Sequence, residues 1–263
     1  MDVLVTVKAY PTISTKYGEA VCVAGVRMDT PEPEWIRLFP VRFRELPQHQ
    51  QFQKYEVIRL RAHRHTTDKR RETWRPELDS IERGKVVPAG GHWPARRALL
   101  EPLLGPTMCE LYRGRKGGAD APSLGLVRPS RVRGIPVREE EGWSVGQKAT
   151  VGQGNLLTNK TDLVQPGHAF SYSYSCEEPG CKGHKQKIVD WEIGEVYRSW
   201  PQQGQELIDA IKARWLDFMC AEKREPFFFV GDQHTRPGQF LVLGTFYPEM
   251  KPNAAQLSLL MAL

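Results

Sequence analysis

The sequence predicts an α+β protein of two modules, a small basic β-barrel over residues 1–140 and an α+β domain over residues 141–263. Three observations carry this. Short alternating strand patterns fill the opening third, the clearest helical periodicity falls in the second half, and the basic excess is confined to the first. The chain has 263 residues and a net charge of +6, with hydrophobic residues at 40% and charged residues at 26%. That is ordinary globular usage, which excludes wholesale disorder and fibrous architectures. Mean hydropathy is -0.49, and no run of about 18 apolar residues is present, so a membrane-spanning helix is not expected. Residues 1–140 hold 25 Lys/Arg against 17 Asp/Glu, whereas residues 141–263 hold 12 against 14. Arg59 to Arg75 alone carries seven basic residues beside Asp68 and Glu72. A basic half beside a neutral one suggests that one module faces a polyanion.

The elements follow in order. The start, MDVLVTVKAYPTIS, reads as a first strand and not as a signal peptide. Val21–Met28, Trp35–Pro40 and Tyr55–Ala62 alternate β-branched or aromatic residues with polar ones and are expected strands. Pro94–Leu104 is a short helix limited by Pro102. Arg113–Ser123 reads as a Gly-rich basic loop, Leu124–Val137 as extended chain, and Val145–Leu157 as irregular. Ala169–Ser175 (AFSYSYS) is a strand, Ile188–Trp200 and Glu206–Met219 are helices, and Phe227–Val230 and Gln239–Phe246 are buried strands. The tail after Tyr247 is expected to form a short outer helix.

Five cysteines (Cys22, Cys109, Cys176, Cys181, Cys220) are an odd count. With no signal-like start, this points to a reducing, cytoplasmic setting. Cys22, Cys109 and Cys220 are scattered and read as small buried hydrophobes. CEEPGCKGH is different, because it sets Cys176, Cys181 and His184 in a C-x4-C-x2-H spacing with tight-turn residues between them. Two thiolates and an imidazole so placed suit tetrahedral zinc in a structural role, a staple for the second module. Reduced structural thiols are the competing reading. For a fourth ligand, His168 lies roughly 25 Å from Cys176 if the intervening strand forms, which leaves Cys220, His234, or an open position holding water that would instead suggest a catalytic metal.

No H-E-x-x-H, H-x-E…P-C-x-x-C, G-x-S-x-G, Walker A or dinucleotide signature is present, so no catalytic class is recognised. Asp190, Glu192 and Glu195 raise the alternative of a metal-dependent nuclease that also uses His184 or His234. On a helix, Asp190 and Glu192 diverge by about 200°, and acids in a first helical turn are favoured by the dipole. A histidine in a turn, such as His234, is more often a turn partner than a ligand.

Trp35, Arg37, Arg42 and Arg44 interleave with Phe39 and Phe43, and Arg64, Arg70, Arg71 and Trp74 extend the pattern. Such a surface offers stacking platforms beside phosphate-binding guanidinium groups. Alternation puts Trp35, Arg37 and Phe39 on one face, expected to be an exposed aromatic-basic one.

The stretch VCVAGVRMDTPEPEWIRLFPV resembles the opening of prokaryotic dual OB-domain proteins, which carry C-[IV]-A-G followed by W-[IV]-R. The resemblance rests on Cys22, Ala24, Gly25, Trp35, Ile36, Arg37 and Leu38. It implies an OB-like barrel with a nucleic-acid or nucleotide-ligand role, inside a larger prokaryotic system of the mobile-element or phage-defence kind. The expected function is DNA or RNA binding with a structural zinc. A nuclease, or an adaptor whose basic face docks a protein partner, is the alternative.

Overall fold

The computed structural model describes residues 1–14, 17–118, 120–149 and 163–251. It is a mixed, strand-rich α+β fold. The first half builds one sheet from β1 (Asp2–Lys8), β2 (Thr12–Ser14), β3 (Gly18–Arg27), β4 (Glu34–Val41), β5 (Glu56–Arg59), β6 (Ala62–Arg64), β7 (Thr73–Pro76) and β8 (Glu82–Val86). The order is β6-β7-β4-β3-β1-β5-β8, with β2 paired to β3. Every pairing is antiparallel except β4 with β7. The sheet curls into a half-barrel.

Strand alternation explains how this sheet is filled. Val3, Val5, Val21, Val23, Ile36 and Leu38 face one core, closed by Phe43 and Phe52. Leu4, Val7, Ala24 and Val26 face a second core, whose other wall is Leu124, Leu126, Phe227, Phe229 and Leu243. That wall belongs to a three-stranded sheet of β9 (Leu124–Val127), β14 (Phe227–Gln233) and β15 (Arg236–Phe246). The run FFFV of β14 is apolar throughout because the strand is buried on both faces. Phe227 and Phe229 face the first sheet, while Phe228 and Val230 face a third core. Fully burying each phenyl contributes roughly 1.5–3 kcal/mol, so β14 is the keel on which the halves join.

The third core is closed by β10 (Pro129–Gly134), β11 (Val137–Glu139), β12 (His168–Cys176) and β13 (His184–Lys187), with β12 central. Around it pack α2 (Met108–Gly117), α3 (Trp191–Ser199) and α4 (Gly204–Lys212), α4 running on into a π-helical stretch, Ala213–Phe218. The short α1 (Pro94–Leu100) ends in a 3-10 turn at Glu101–Leu103, where Pro102 falls.

Two element expectations change here, and strand pairing crosses the expected module boundary. A cut at 140 falls inside a sheet, since β9 pairs with β14 and both β10 and β11 pair with β12. Arg113–Lys116 is helical, not loop: Thr107 and Glu110 form a capping box that starts α2, and the helix runs through these residues. Residues 145–149 are helical, while the rest of the stretch expected to be irregular, and the expected tail helix after 251, lie outside the described residues. No described helix is long and apolar enough to cross a membrane.

Candidate metal centre and the cleft between the halves

Four side chains converge at the end of the third core: Cys109, Cys176, Cys181 and His184, with ligand atoms all within 4.8 Å of one another. Cys109 comes from the first turn of α2, Cys176 ends β12, Cys181 lies in the loop, and His184 opens β13. His184 Nε2 is 3.5 Å from Cys109 Sγ, 3.4 Å from Cys176 Sγ and 3.3 Å from Cys181 Sγ. Cys109 and Cys176 sulfurs are 3.6 Å apart. Tetrahedral ligands at about 2.3 Å (sulfur) and 2.0–2.1 Å (nitrogen) from one ion lie about 3.5–3.8 Å from each other. The cluster therefore has the size and donor set to hold a metal ion.

The local chain is shaped for this convergence. Gly180 and Gly183 adopt φ of 76° and 97°, left-handed values that bend the loop where a side chain would be strained. Gly183 N–H points at Cys181 Sγ at 3.4 Å. Glu178 accepts two hydrogen bonds from Arg113 (2.6 and 2.7 Å) and one from Thr107 Oγ1, tying the loop to α2. Tyr112 stacks on the His184 ring. Burial and the neighbouring Cys176 and Cys181 sulfurs push the Cys109 thiol up to about 12, and burial holds His184 below the usual imidazole range. A bound cation would let three thiolates and a neutral imidazole coexist here.

The spacing singles out three of these four side chains and not the fourth. Cys109 stands 67 residues before Cys176 with no partner nearby in sequence. Its one local signal is the T-M-C-E start of a capped helix. The two residues expected to complete the set are elsewhere. Cys220 sits beside the Trp215 carbonyl, its thiol pushed up to about 12 by burial, and His234 lies 3.4 Å from Asp68. His168 stands at the far end of β12, bonded to Tyr197, as strand length requires.

The acidic pair, expected to diverge on a helix, meets at Lys54. Asp190 caps α3 by accepting from Glu192 N–H and receives Lys54 Nζ at 2.8 Å. Glu192 also contacts Lys54, at 3.2 Å. His184 belongs to the cysteine cluster and His234 to Asp68.

The expected aromatic-basic surface divides in two. Trp35, Arg37 and Phe39 share a face; the sheet of β9, β14 and β15 covers it at Trp35 and Arg37, whereas Phe39 borders a cleft. Trp35 meets Phe229 edge-on. Arg37 is only 2% exposed. It donates to Ser123 Oγ (2.7 Å) and Ser123 O (3.0 Å) and lies 3.9 Å from Asp232. Arg70 is likewise turned inward, onto Asp68 (2.6 Å) and Asp232 (3.0 Å). These two are corrections: each guanidinium is spent holding the halves together. Arg44 is half-buried on Glu19. Arg42, Arg64 and Arg71 are exposed. Arg64 lies over the Trp74 ring at 4.2 Å and donates to the Arg71 carbonyl. In the β6–β7 ladder Arg64 faces Trp74 and His63 faces Arg75. Lys69, Arg71 and Arg75 are exposed around them, Arg71 holding Glu72 at 3.5 Å, so one edge hairpin gathers several exposed basic side chains about a single indole.

Beside that hairpin a cleft of about 1100 Å³ opens between the halves. His65, Asp68 and Arg70 from the β6–β7 connection line it, with Tyr17 and Phe39 from the first half and His168, Tyr197 and Trp143 from the second.

Against known proteins, residues 105–261 match a family described as a domain of unknown function (DUF8757), and residues 1–102 match a second, DUF8758. The first covers more than half of the chain, which therefore belongs to the DUF8757 family. No curated protein matches. A solved structure of a murine DNA binding protein bound with ds DNA aligns over 97% of this chain and 98% of that one, at 10% identity and a TM-score of 0.30. That similarity is too slight to define a shared fold.

Proposed function

We propose that the protein binds nucleic acid along the β6–β7 edge and that zinc in the Cys109–Cys176–Cys181–His184 cluster braces the half behind it. The observation that carries the first part is the edge hairpin. There Arg64, Lys69, Arg71 and Arg75 stand exposed around Trp74, the combination of phosphate-binding cations and a stacking ring that single strands use. Three sulfurs and one nitrogen at tetrahedral spacing, with no open position, support zinc in a structural role. When bound, it supplies a fixed crosslink between α2 and the β12–β13 hairpin. We place the boundary between the two modules at 103–104, where the family matches meet, with the curled first sheet as the OB-like element. A place in a larger prokaryotic defence system rests on the resemblance of residues 21–41 alone.

Fluorescence anisotropy with labelled single- and double-stranded oligonucleotides tests the reading. Affinity should fall steeply between 50 and 200 mM salt, with a logarithmic slope of about -0.7 for each phosphate neutralised on a single strand. Arg64→Ala and Arg71→Ala should each flatten that slope by somewhat less than one unit. A salt-independent affinity, or no binding with capture of an acidic protein instead, would favour the adaptor.

A further inference from the structure

The cleft and the hairpin differ in what they can take up. All four cations lining the cleft are already ion-paired: Arg37 and Arg70 with Asp232, Arg70 also with Asp68, and Arg138 and Lys187 with Glu140 at 3.3 and 2.6 Å. A phosphate entering it would displace a carboxylate, while exposed Lys69 outside offers itself at no such cost and Arg71, largely exposed, holds Glu72 only at 3.5 Å. The walls instead suit a flat, uncharged ring. From the first half, Phe39 stands 5.6 Å from Tyr17 and 6.5 Å from His65, in a row. From the second, His168 and Tyr197 stack at 6.4 Å with 26° between planes. Glu139 and Glu141 add acceptors at the wall, suited to exocyclic amino groups. The volume, about 1100 Å³, is just above the usual range of small-ligand pockets. Asp68 and Arg70 line the cleft while Lys69 and Arg71, their immediate neighbours, point to solvent. Adjacent residues of one segment can thus hold a backbone phosphate outside and border its base inside.

We infer that the cleft receives a single unstacked base of the strand held at the β6–β7 hairpin, the base lying among Phe39, Tyr197 and Trp143 and the phosphates staying on the rim. This rests on the nucleic-acid reading above. The test compares a 12-nucleotide adenine strand with a strand of equal length made wholly of abasic sites, which keeps the phosphates and removes the rings. Wild type should bind the abasic strand roughly 5- to 150-fold more weakly, the range for one base–aromatic stack. Tyr197→Leu should shrink that ratio toward one without altering affinity for the abasic strand. Trp143→Leu, on a segment outside the helices, provides the same readout should the first variant fold poorly. Equal wild-type affinity for both strands overturns base uptake and leaves the hairpin reading standing. A ratio that survives both cleft variants and collapses in Trp74→Leu also overturns it, because the base then stacks on the hairpin. If neither strand binds, the hairpin reading fails, and calorimetry with deoxyadenosine decides the cleft: heat lost in Tyr197→Leu upholds it, and no heat with wild type ends it.

Discussion

Asp232 is the residue whose removal should cost this fold most. Its carboxylate has no exposed side-chain surface, receives Arg70 at 3.0 Å and Arg115 at 2.8 Å, and stands 3.9 Å from Arg37. Asp232→Ala leaves that set of guanidiniums in a space built for their counter-charge. They are not equally exposed to the loss. Arg70 keeps its bidentate hold on Asp68, Arg37 keeps Ser123, and Arg115 keeps the Ala121 carbonyl at 3.2 Å. Breaking one buried pair costs about 3–5 kcal/mol, and with these partial replacements the same range is expected here. For a chain of this size that is a fall of about 6–20 °C in Tm. Urea denaturation followed by tryptophan fluorescence reads it directly. Arg37→Met added to Asp232→Ala should recover part of the loss, since one stranded charge is then replaced by an apolar chain of similar length. A single-variant loss under about 0.5 kcal/mol, with no recovery in the double, would refute the reasoning and return Arg37 to the pool of guanidiniums open to a ligand.

Other consequences are accessible to simple measurements. Purified protein should carry about one zinc per chain by elemental analysis, and Cys109→Ser should lose it on dialysis against a mild chelator that leaves wild type loaded. Cys220→Ser should keep the metal, and equal loss in both would show that the cluster is not the site. Burial, with repulsion from Lys54, lowers Lys8 to about 8, below its value of about 10.4 in an unfolded chain. Between those two pH values the unfolded state binds the extra proton, so stability rises with pH across the interval. The urea midpoint of wild type should therefore gain on that of Lys8→Met between pH 8 and 10, and parallel curves would contradict the burial argument.

The sequence made the elements legible where one period dominated. AFSYSYS became β12 and the apolar run at 227–230 became β14, because strand alternation and double burial each leave a plain mark. The helices at 191–199 and 204–212 followed the 3.6-residue spacing of Ile193, Val196, Leu207 and Ile211. What failed did so at long range. Whether the face of Trp35 and Arg37 meets water or protein depends on β14, nearly 200 residues downstream, and no local pattern records that choice. Cys109 was hidden for the same reason: three ligands share one turn, whereas the fourth arrives from a helix that only tertiary folding brings near. The charge surplus of the first half is legible as a sum but not side chain by side chain: Arg37 and Arg70 turn inward to Asp232, whereas Arg42, Arg64 and Arg71 stay exposed.

That inward draw bears on how the two halves work together. The Lys54–Asp190 pair, the Tyr10 N–H to Val189 carbonyl bond at 2.7 Å, and the Asp232 network all cross between them. Tyr10 is further pinned because its ring lies where a Cβ on Gly194 would sit, 1.9 Å from the nearest ring carbon. These links flank the cleft rather than fill it: Tyr10 and Gly194 line one side, and Asp232 with Arg70 another. A cavity whose edges are fixed by buried ion pairs and close packing is preorganised, so a ligand entering it pays little to order the protein. A metal held by the Cys/His cluster, on the opposite end of β12 from His168, would stiffen the strand that carries this wall. On that account, loss of zinc should weaken binding in the cleft more than binding at the hairpin, though no ligand atom of the cluster reaches either.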